Sequence, residues 1–242
     1  MFLNPGRVRP QRRGALRFTV LLAVVLSLCG CGMLGAERSV PPADGLVEVL
    51  VLRVIDGDTM VIGMPDRTEE HLRLIGVDAP EMGAPPEPCG LEAAAYAAKI
   101  LEGRTAFLEV DVEPRDRHGR LLGYLWIERP TELPPELDTL RAHLFNARLL
   151  VNGYAQLMTM PPNVKYVEYF RLFQREARLE GRGLWGLAVV EEEYYIGNAN
   201  TRRFHRPDCA SVASVAPHNR VRLETRDEAF DAGYEPCRNC RP

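Results

Sequence analysis

Apolar and polar residues alternate along several short stretches of the chain, which is the pattern of β-strands with one buried face. The alternation over residues 47–62 is interrupted at Asp56-Gly57-Asp58 and therefore predicts two strands joined by a turn. Three further strands are predicted over residues 71–77, 106–112 and 121–127. The pattern therefore predicts five short strands.

Three other stretches have apolar residues at helical spacing. The first is alanine-rich, over residues 91–101, and the second, over residues 140–151, ends at Asn152-Gly153. The third, over residues 167–180, is followed by glycines that end the helix. Five short strands interleaved with three helices predict an α+β fold, mainly β, in which three helices cover a closed five-stranded barrel of the OB type.

The first 30 residues have the pattern of a secretory signal. Five arginines precede an apolar run over residues 18–28, which is too short to span a bilayer. The segment Leu28-Cys29-Gly30-Cys31 resembles the bacterial lipobox, which is cleaved before a cysteine that becomes lipidated. We expect an exported, cell-envelope protein anchored to the membrane at Cys31, with a tether over residues 31–46. The alternative is an ordinary cleaved signal with two incidental cysteines.

The resemblance also bears on the membrane to which the anchor attaches. Inner-membrane retention signals have aspartate after the lipidated cysteine, and this chain has Gly32 there. We therefore expect the outer membrane in a host that has one.

Charge divides the chain of 242 residues into two parts. Lys and Arg number 30 against 33 Asp and Glu, a formal net charge of −3. Residues 31–193 carry a net charge of −10 and residues 194–242 carry +2, with an acidic linker over residues 188–193 between them. The composition, 46% hydrophobic and 26% charged, excludes a collagen-like or wholly disordered chain. Bulk charge does not indicate a nucleic-acid partner.

Acidic residues stand at the ends of three predicted strands, where a barrel would gather them on one rim: Asp56, Asp58, Asp78 and Glu81. Oxygen ligands without a nearby histidine or cysteine favour a hard cation such as Ca²⁺ or Mg²⁺. Arg73 and Arg120 add two guanidinium groups that can bind a phosphate bidentately, and a free carboxylate can activate water. The alternative is a solvated surface with weak ion pairs.

Three segments, in order, resemble the signature motifs of the thermonuclease (staphylococcal-nuclease-like) family. They are Val54-Ile55-Asp56-Gly57-Asp58-Thr59, Arg73-Leu74-Ile75-Gly76-Val77-Asp78-Ala79-Pro80-Glu81 and Asp116-Arg117-His118-Gly119-Arg120. The resemblance covers a domain over residues 47–187. It implies an OB-fold enzyme that hydrolyses DNA and RNA with Ca²⁺ and leaves 3′-phosphates.

The resemblance implies a ligand set for the cation. Asp58 and Asp78 would bind Ca²⁺ directly, together with the backbone carbonyl of Ala79, where the family usually has threonine. A carbonyl ligand tolerates alanine at this position. Asp56 would lie behind these ligands, in the second shell of the metal.

The resemblance also implies the catalytic groups. Arg73 and Arg120 would hold the scissile phosphate, and Glu81 would act on the attacking water as general base or by orienting it. The family commonly has nucleotide-contacting tyrosines after Gly153, where this chain has Gln-Leu-Met-Thr-Met over residues 156–160. Together with the charge of −10, this departure predicts loose binding of nucleic acid that depends on the cation.

The segment over residues 194–242 contains four residues spaced as in structural zinc sites: His205, Cys209, Cys237 and Cys240. The stretches over residues 203–209 and 232–242 resemble the zinc domain of the adaptive-response DNA repair protein that accepts methyl groups from phosphotriesters. In that family the first position of the set is a cysteine. Because this chain has histidine there, we expect no methyl-acceptor chemistry.

A disulfide is the alternative to zinc in this segment. An exported protein meets oxidising conditions, so Cys209 could pair with Cys237 or Cys240. Cys89 stands in a predicted loop and is expected to be a lone thiol or a partner for one of these cysteines. A segment this small needs either a bound metal or a disulfide to be stable.

The sequence therefore predicts a monomeric, exported and lipid-anchored nuclease whose substrate is DNA, RNA or both. The alternative is a non-catalytic OB-fold module that binds nucleic acid or an envelope protein. A third hypothesis is an envelope protein whose C-terminal segment binds protein. The occupancy of all six charged motif positions favours the enzyme.

Overall fold

A computed structural model describes residues 45–132 and 134–242 of the protein. The predicted signal, Cys31 and residues 31–44 of the tether lie outside these ranges. Within them, none of the helices combines the length and apolar character needed to cross a bilayer.

The alternating stretches form a closed five-stranded barrel, which confirms the predicted fold class. The strands of this part of the chain are β1 Leu46–Val54, β2 Thr59–Gly63, β3 Glu69–Leu74, β4 Val77–Asp78, β5 Thr105–Glu109, β6 Leu121–Trp126 and β7 Gln156–Leu157. Around the barrel the order is β1, β2, β3, β6, β5. Neighbouring strands of the barrel are antiparallel except β3 and β6, which are parallel. Strands β4 and β7 form a separate antiparallel pair.

The strand predicted over residues 71–77 is interrupted by a turn. Gly76 has φ of +78°, a left-handed conformation that costs glycine little, so β3 ends before it and β4 begins after it. A Cβ at this position would also lie 2.6 Å from the ring of Phe170. The turn brings Asp78, the last residue of β4, within hydrogen-bond distance of Arg73 on β3.

Helices cover the barrel: α1 Gly90–Leu101, α2 Leu137–His143, α3 Phe145–Val151 and α4 Val167–Leu179. The single helix predicted over residues 140–151 is instead the pair α2 and α3. Leu144 between them has extended backbone and forms an antiparallel bridge with Trp126 at the end of β6. The helix is broken because the chain pairs with a barrel strand at this point.

Large side chains of the barrel and of the covering helices share one core. The largest, at most 1% exposed, include Tyr124 and Trp126 of β6 and Phe145, Phe170 and Phe173 of the helices. Burying a side chain of this size contributes about 1.5–3 kcal/mol to the free energy of unfolding. The core thereby fixes the helices on the barrel and, with them, the loops at its ends.

The C-terminal module, residues 194–242, has its own sheet and a small core. Its elements are β8 Tyr195–Asn198, β9 Arg203–His205, β10 Arg220–Leu223, α5 Arg226–Asp231 and β11 Glu235–Pro236. The sheet order is β10, β8, β9, β11. The module packs against the nuclease-like part, where Arg178 of α4 pairs with Asp227 at 3.0 Å and the rings of Trp185 and Phe230 meet at 5.0 Å.

Candidate active site and metal centre

Two turns bring the predicted acidic residues together at one end of the barrel. Asp56 and Asp58 lie in the turn between β1 and β2, where the backbone N–H of Asp58 donates to Asp56 Oδ1 at 3.0 Å. The second oxygen of Asp58, Oδ2, accepts a hydrogen bond of 2.5 Å from the backbone N–H of Ala79. The β1–β2 turn is therefore tied to the residue that follows Asp78.

Arg73 of β3 contacts both Asp58 in the β1–β2 turn and Asp78 at the end of β4. Its Nη1 contacts Asp58 Oδ1, and its Nη2 donates to Asp78 Oδ1 at 2.9 Å. Arg73 is only 6% exposed, so burial lowers its pKa, while the negative charges of Asp78 and Asp56 raise it. The guanidinium nevertheless keeps its charge. The predicted convergence of Arg73 with the acidic residues is what the structure contains.

The two remaining carboxyl groups of the set have raised pKa values. Burial raises the pKa of Asp56, and the positive charge of Arg73 opposes this. Partial desolvation raises the pKa of Glu81, and the negative charge of Asp56 adds to the effect. Glu81 is exposed and lines the same cavity as Asp56. A carboxylate whose pKa is raised accepts a proton more readily, which suits a base that acts on water.

Arg120 reaches the cavity from the polar turn between β5 and β6. Its Nε donates to Asp116 Oδ2 at 2.7 Å, and the backbone N–H groups of His118 and Arg120 donate to Asp116 Oδ1. Its side chain is 35% exposed. Asp116 therefore fixes both the turn and the guanidinium of Arg120. Part of the Arg120 side chain remains open to a ligand.

All of these side chains line one open cavity of about 780 Å³. Its walls contain six arginines, namely Arg73, Arg115, Arg117, Arg120, Arg203 and Arg238. They also contain six acidic residues, namely Asp56, Asp58, Asp78, Glu81, Glu113 and Asp116. The arginines and acidic residues of the cavity are therefore equal in number, and two of the arginines, Arg203 and Arg238, lie outside the acidic residues 31–193.

Two of the cavity arginines, Arg203 and Arg238, belong to the C-terminal module and were not predicted. Arg238 Nη2 donates to both oxygens of Asp78, at 3.2 Å to Oδ1 and 3.0 Å to Oδ2. The sequence carries one signal for this residue, its position between Cys237 and Cys240. Spacing alone contains no information on which residue of another domain it contacts.

Asp58 and Asp78 are the carboxylates that could hold a cation at this end of the barrel. The guanidinium of Arg73 contacts both, so their oxygens lie close enough to share one positive centre. Oxygen donors suit Ca²⁺ or Mg²⁺, and water and backbone carbonyls, such as the one predicted at Ala79, would complete the set. The chemistry of the donors therefore fits a hard cation.

A second candidate metal centre lies in the C-terminal module. One ligand atom from each of His205, Cys209, Cys237 and Cys240 lies within 4.8 Å of the others. Within residues 45–132 and 134–242, this is the one such group of three or more His, Cys, Asp or Glu. His205 Nδ1 is 3.7 Å from Cys209 Sγ. One imidazole and three thiols at these distances fit a tetrahedral zinc ion.

The surroundings of His205 and Cys237 also suit metal binding, whereas burial raises the pKa of Cys240 to about 12 and favours its thiol form. Burial, and then the positive charge of Arg203, lower the pKa of His205, which favours the neutral imidazole that a metal requires. Burial raises the pKa of Cys237, but hydrogen bonds from the backbone N–H groups of Cys240 and Asn239 outweigh this effect. The pKa is therefore lowered, which favours the thiolate. The four cysteines in the described residues, including Cys89, are free, so the disulfide alternative is not what this structure contains.

Comparison with known proteins identifies the two parts of the chain. A sequence profile described as Staphylococcal nuclease homologue matches residues 71–187. A thermonuclease of Staphylococcus intermedius is 37% identical over 139 residues, which are 56% of this chain and 74% of that protein. The chain belongs to the staphylococcal nuclease family. A thermonuclease of Staphylococcus hyicus is 33% identical over 138 residues, 56% of this chain and 73% of that protein.

Matches beyond the nuclease part extend the identification. A profile described as Metal binding domain of Ada covers residues 188–242. Endonuclease YhcR of Bacillus subtilis is 27% identical over 226 residues, 82% of this chain and 17% of that protein. Both resemblances drawn from the motifs are confirmed. Membership of the staphylococcal nuclease family also agrees with the closed barrel, to which β1 and β2 contribute from before the matched residues.

Proposed function

We propose that this protein is a nuclease that hydrolyses phosphodiester bonds of DNA, RNA or both at the barrel site, with Ca²⁺ as its cation. One observation carries the proposal: a buried guanidinium, that of Arg73, contacts both Asp58 and Asp78. Arg120 and Glu81 line the same cavity. A non-catalytic binding module is less well supported, because it does not need this convergence of charged groups.

The roles of the side chains follow from their charges and positions. Arg73 and Arg120 bind oxygens of the scissile phosphate and offset the negative charge that grows on them in the transition state. Glu81 orients or deprotonates the attacking water. A cation held by Asp58 and Asp78 supplies further positive charge at the phosphate when bound. Water adds to phosphorus as the bond to the 5′ oxygen breaks, which leaves a 3′-phosphate and a 5′-hydroxyl.

A digestion assay tests this proposal. The chain is incubated with plasmid DNA and with RNA in Ca²⁺, in Mg²⁺ or in EDTA, as wild type, as Arg73→Ala and as Arg53→Ala. Arg53 is an exposed arginine of β1 outside the cavity and serves as the matched control. We expect cleavage with Ca²⁺ by wild type and Arg53→Ala, and a loss of roughly a hundredfold or more in Arg73→Ala. Equal activity of Arg73→Ala, or activity indifferent to EDTA, would overturn the proposed mechanism.

We also propose that His205, Cys209, Cys237 and Cys240 bind one structural zinc ion. The support is the convergence of their ligand atoms and the match to a metal-binding domain. Metal analysis and thiol counting before and after chelation test it. Zinc predicts one ion per chain and three thiols that become reactive on chelation. A disulfide predicts no metal and two thiols that stay unreactive until a reductant is added.

We further propose that the protein is exported and anchored to the membrane by a lipid at Cys31. Export and anchoring are supported by the basic and apolar N-terminal segment and by the small residue before Cys31. Fractionation of cells that express wild type and Cys31→Ala tests them, together with labelling by a fatty-acid analogue. We expect label and membrane association in the wild type and neither in Cys31→Ala. Unchanged membrane association of an unlabelled wild type would exclude the anchor.

A further inference from the structure

Arg238 links the C-terminal module to the nuclease site directly. It stands between the candidate zinc ligands Cys237 and Cys240 and reaches Asp78, 160 residues away in sequence. Its Nη2 also lies 3.4 Å from Met158 Sδ. Its side chain is 66% exposed, and among the described residues no hydrogen bond is found for its Nη1 or Nε. Donors of this guanidinium are therefore open to a ligand in the cavity.

The contacts on either side of Arg238 hold it in this place. The backbone N–H of Thr159 donates to Glu235 Oε1 at 2.5 Å, which joins the start of β11 to the nuclease part. On the other side, Arg241 pairs with Glu87 Oε1 at 2.5 Å. Two independent contacts therefore dock the short segment that carries Arg238 against the loops around the active site.

Arg203 adds a second positive charge from the same module. It lies on β9, two residues before His205, and lines the cavity that contains Arg73 and Arg120. Its Nη1 donates to the backbone carbonyl of Pro236 at 3.3 Å, and its Nη2 is 4.0 Å from Glu235 Oε2. Its side chain is 36% exposed. Arg203 and Arg238 thus flank the end of β11 and both face the substrate cavity.

We propose that Arg238 and Arg203 form a second phosphate-binding subsite of the nuclease, for a backbone phosphate next to the scissile one. This inference rests on the proposed function. A chain of nucleotides presents further phosphates beside the one that is cleaved, and guanidinium groups are suited to bind them. The residues over 31–193 carry a net charge of −10, so the C-terminal module supplies positive charge where the substrate needs it. The module is then a wall of the active site rather than a separate binding domain.

A binding experiment on the full chain tests the subsite. Glu81→Gln, which we expect to slow cleavage, serves as the background, into which Arg238→Ala, Arg203→Ala or Arg222→Ala is introduced. Arg222 is an exposed arginine of β10 that pairs with Glu224 and does not line the cavity, so it is the matched control. Fluorescence anisotropy in Ca²⁺ gives the Kd of a labelled single-stranded DNA about 12 nucleotides long at several salt concentrations. Bound zinc is measured for every variant.

The subsite predicts a specific change in salt dependence. Each lost phosphate contact should reduce the slope of log K against log salt by about 0.7 and weaken binding roughly tenfold. We expect this for Arg238→Ala and Arg203→Ala, with zinc content unchanged, and not for Arg222→Ala. Unchanged slopes overturn the proposal. Tighter binding by Arg238→Ala, with a lower Ca²⁺ requirement, also overturns it. In that case Arg238 would inhibit binding of the cation by pairing with Asp78.

Substrate length gives a second readout that does not depend on the Glu81 background. A dinucleotide without a terminal phosphate (a dinucleoside monophosphate) has only the scissile phosphate and cannot occupy the proposed subsite. In otherwise wild-type protein, Arg238→Ala should raise KM for the longer DNA with little change in kcat, and should lower kcat/KM for the longer DNA by a larger factor than for the dinucleotide. Equal losses on both substrates would place Arg238 at the scissile phosphate instead and contradict the subsite. If the wild type cleaves neither substrate, the proposed function fails, whereas the anisotropy slopes still report on the subsite.

Discussion

At the scale of single residues, Arg73 is the centre of the site because its planar guanidinium contacts two carboxylates at once. Lysine keeps the charge but has one compact ammonium group and cannot bridge two carboxylates or bind a phosphate bidentately in the same way. Arg73→Lys is therefore expected to lower kcat/KM by about 10²-fold or more. Steady-state cleavage of a labelled oligonucleotide measures this, with Arg53→Lys as control. Retention of near wild-type activity by Arg73→Lys would show that charge alone suffices.

Asp116 permits a prediction on pH dependence. Although partial burial raises its pKa, hydrogen bonds from the side chain and backbone of Arg120 lower it below the ordinary value of 3.8. The folded state therefore favours ionised Asp116, and this stabilisation is present above the ordinary pKa and lost as pH falls through the lowered value. We expect Asp116→Asn to cost about 1 kcal/mol at neutral pH.

Denaturant unfolding at neutral pH and near pH 3 measures the effect of Asp116→Asn. The difference from wild type should shrink towards pH 3, because the unfolded state then binds a proton at Asp116 more readily than the folded state, in which the pKa is lowered. The exposed Glu113, whose side chain has no partner among the contacts of the described residues, provides the control Glu113→Gln. A difference that is independent of pH would mean that the ion pair with Arg120 does not stabilise the fold.

The sequence was informative about charged residues within the nuclease part and uninformative about contacts between this part and the C-terminal module. Asp58, Arg73 and Asp78 could be predicted to meet because strand ends of a small barrel share a rim. Arg238 could not, because its contact with Asp78 depends on how two cores pack against each other. No local pattern encodes that packing.

At the scale of elements, Asn146 of α3 fastens a helix to the barrel and to the strand turn beside the site. Its Oδ1 accepts from the backbone N–H of Leu125 at 3.0 Å, and its Nδ2 donates to the carbonyl of Ile75 at 2.8 Å. It is fully buried. Asn146→Ala leaves both backbone groups without a partner and should lower the free energy of unfolding by about 2–4 kcal/mol.

Equilibrium unfolding in urea tests the role of Asn146. The exposed Asn200 of the C-terminal module gives the control Asn200→Ala, for which little change is expected. A loss below about 1 kcal/mol in Asn146→Ala would indicate that water satisfies the two backbone groups instead.

The hydrophobic pattern predicted the elements whose boundaries depend on the local sequence. The five barrel strands and α1 and α4 lie within a few residues of the predicted ranges. The break at Leu144 was missed because helical spacing continues across it, and the bridge to Trp126 that interrupts it is a tertiary contact. The pairing of the short strands β4 and β7 was also missed. Each is only two residues long, which is too short for a recognisable alternation, and their pairing is a tertiary contact.

At the scale of the whole molecule, the negative charge of the nuclease part opposes binding of a polyanion. Six arginines line the cavity beside six acidic residues, and some of them are paired with those carboxylates. We therefore expect the Kd for single-stranded DNA to be at least roughly tenfold weaker in a chelator than in Ca²⁺. Anisotropy titrations of the Glu81→Gln variant measure this, with bound zinc determined in parallel. Tight binding in EDTA with zinc retained would contradict the prediction.

We propose that cleavage depends on a cation held by Asp58 and Asp78, and a calcium titration of cleavage tests this dependence. Initial rates are measured against free Ca²⁺ for wild type, Asp78→Asn and Asp66→Asn, the last an exposed aspartate of the β2–β3 turn. We expect no cleavage without Ca²⁺ and a saturable rise for wild type and Asp66→Asn. For Asp78→Asn we expect a midpoint at least about tenfold higher, or no activity. Equal midpoints in all three proteins, or full cleavage without Ca²⁺, would contradict it.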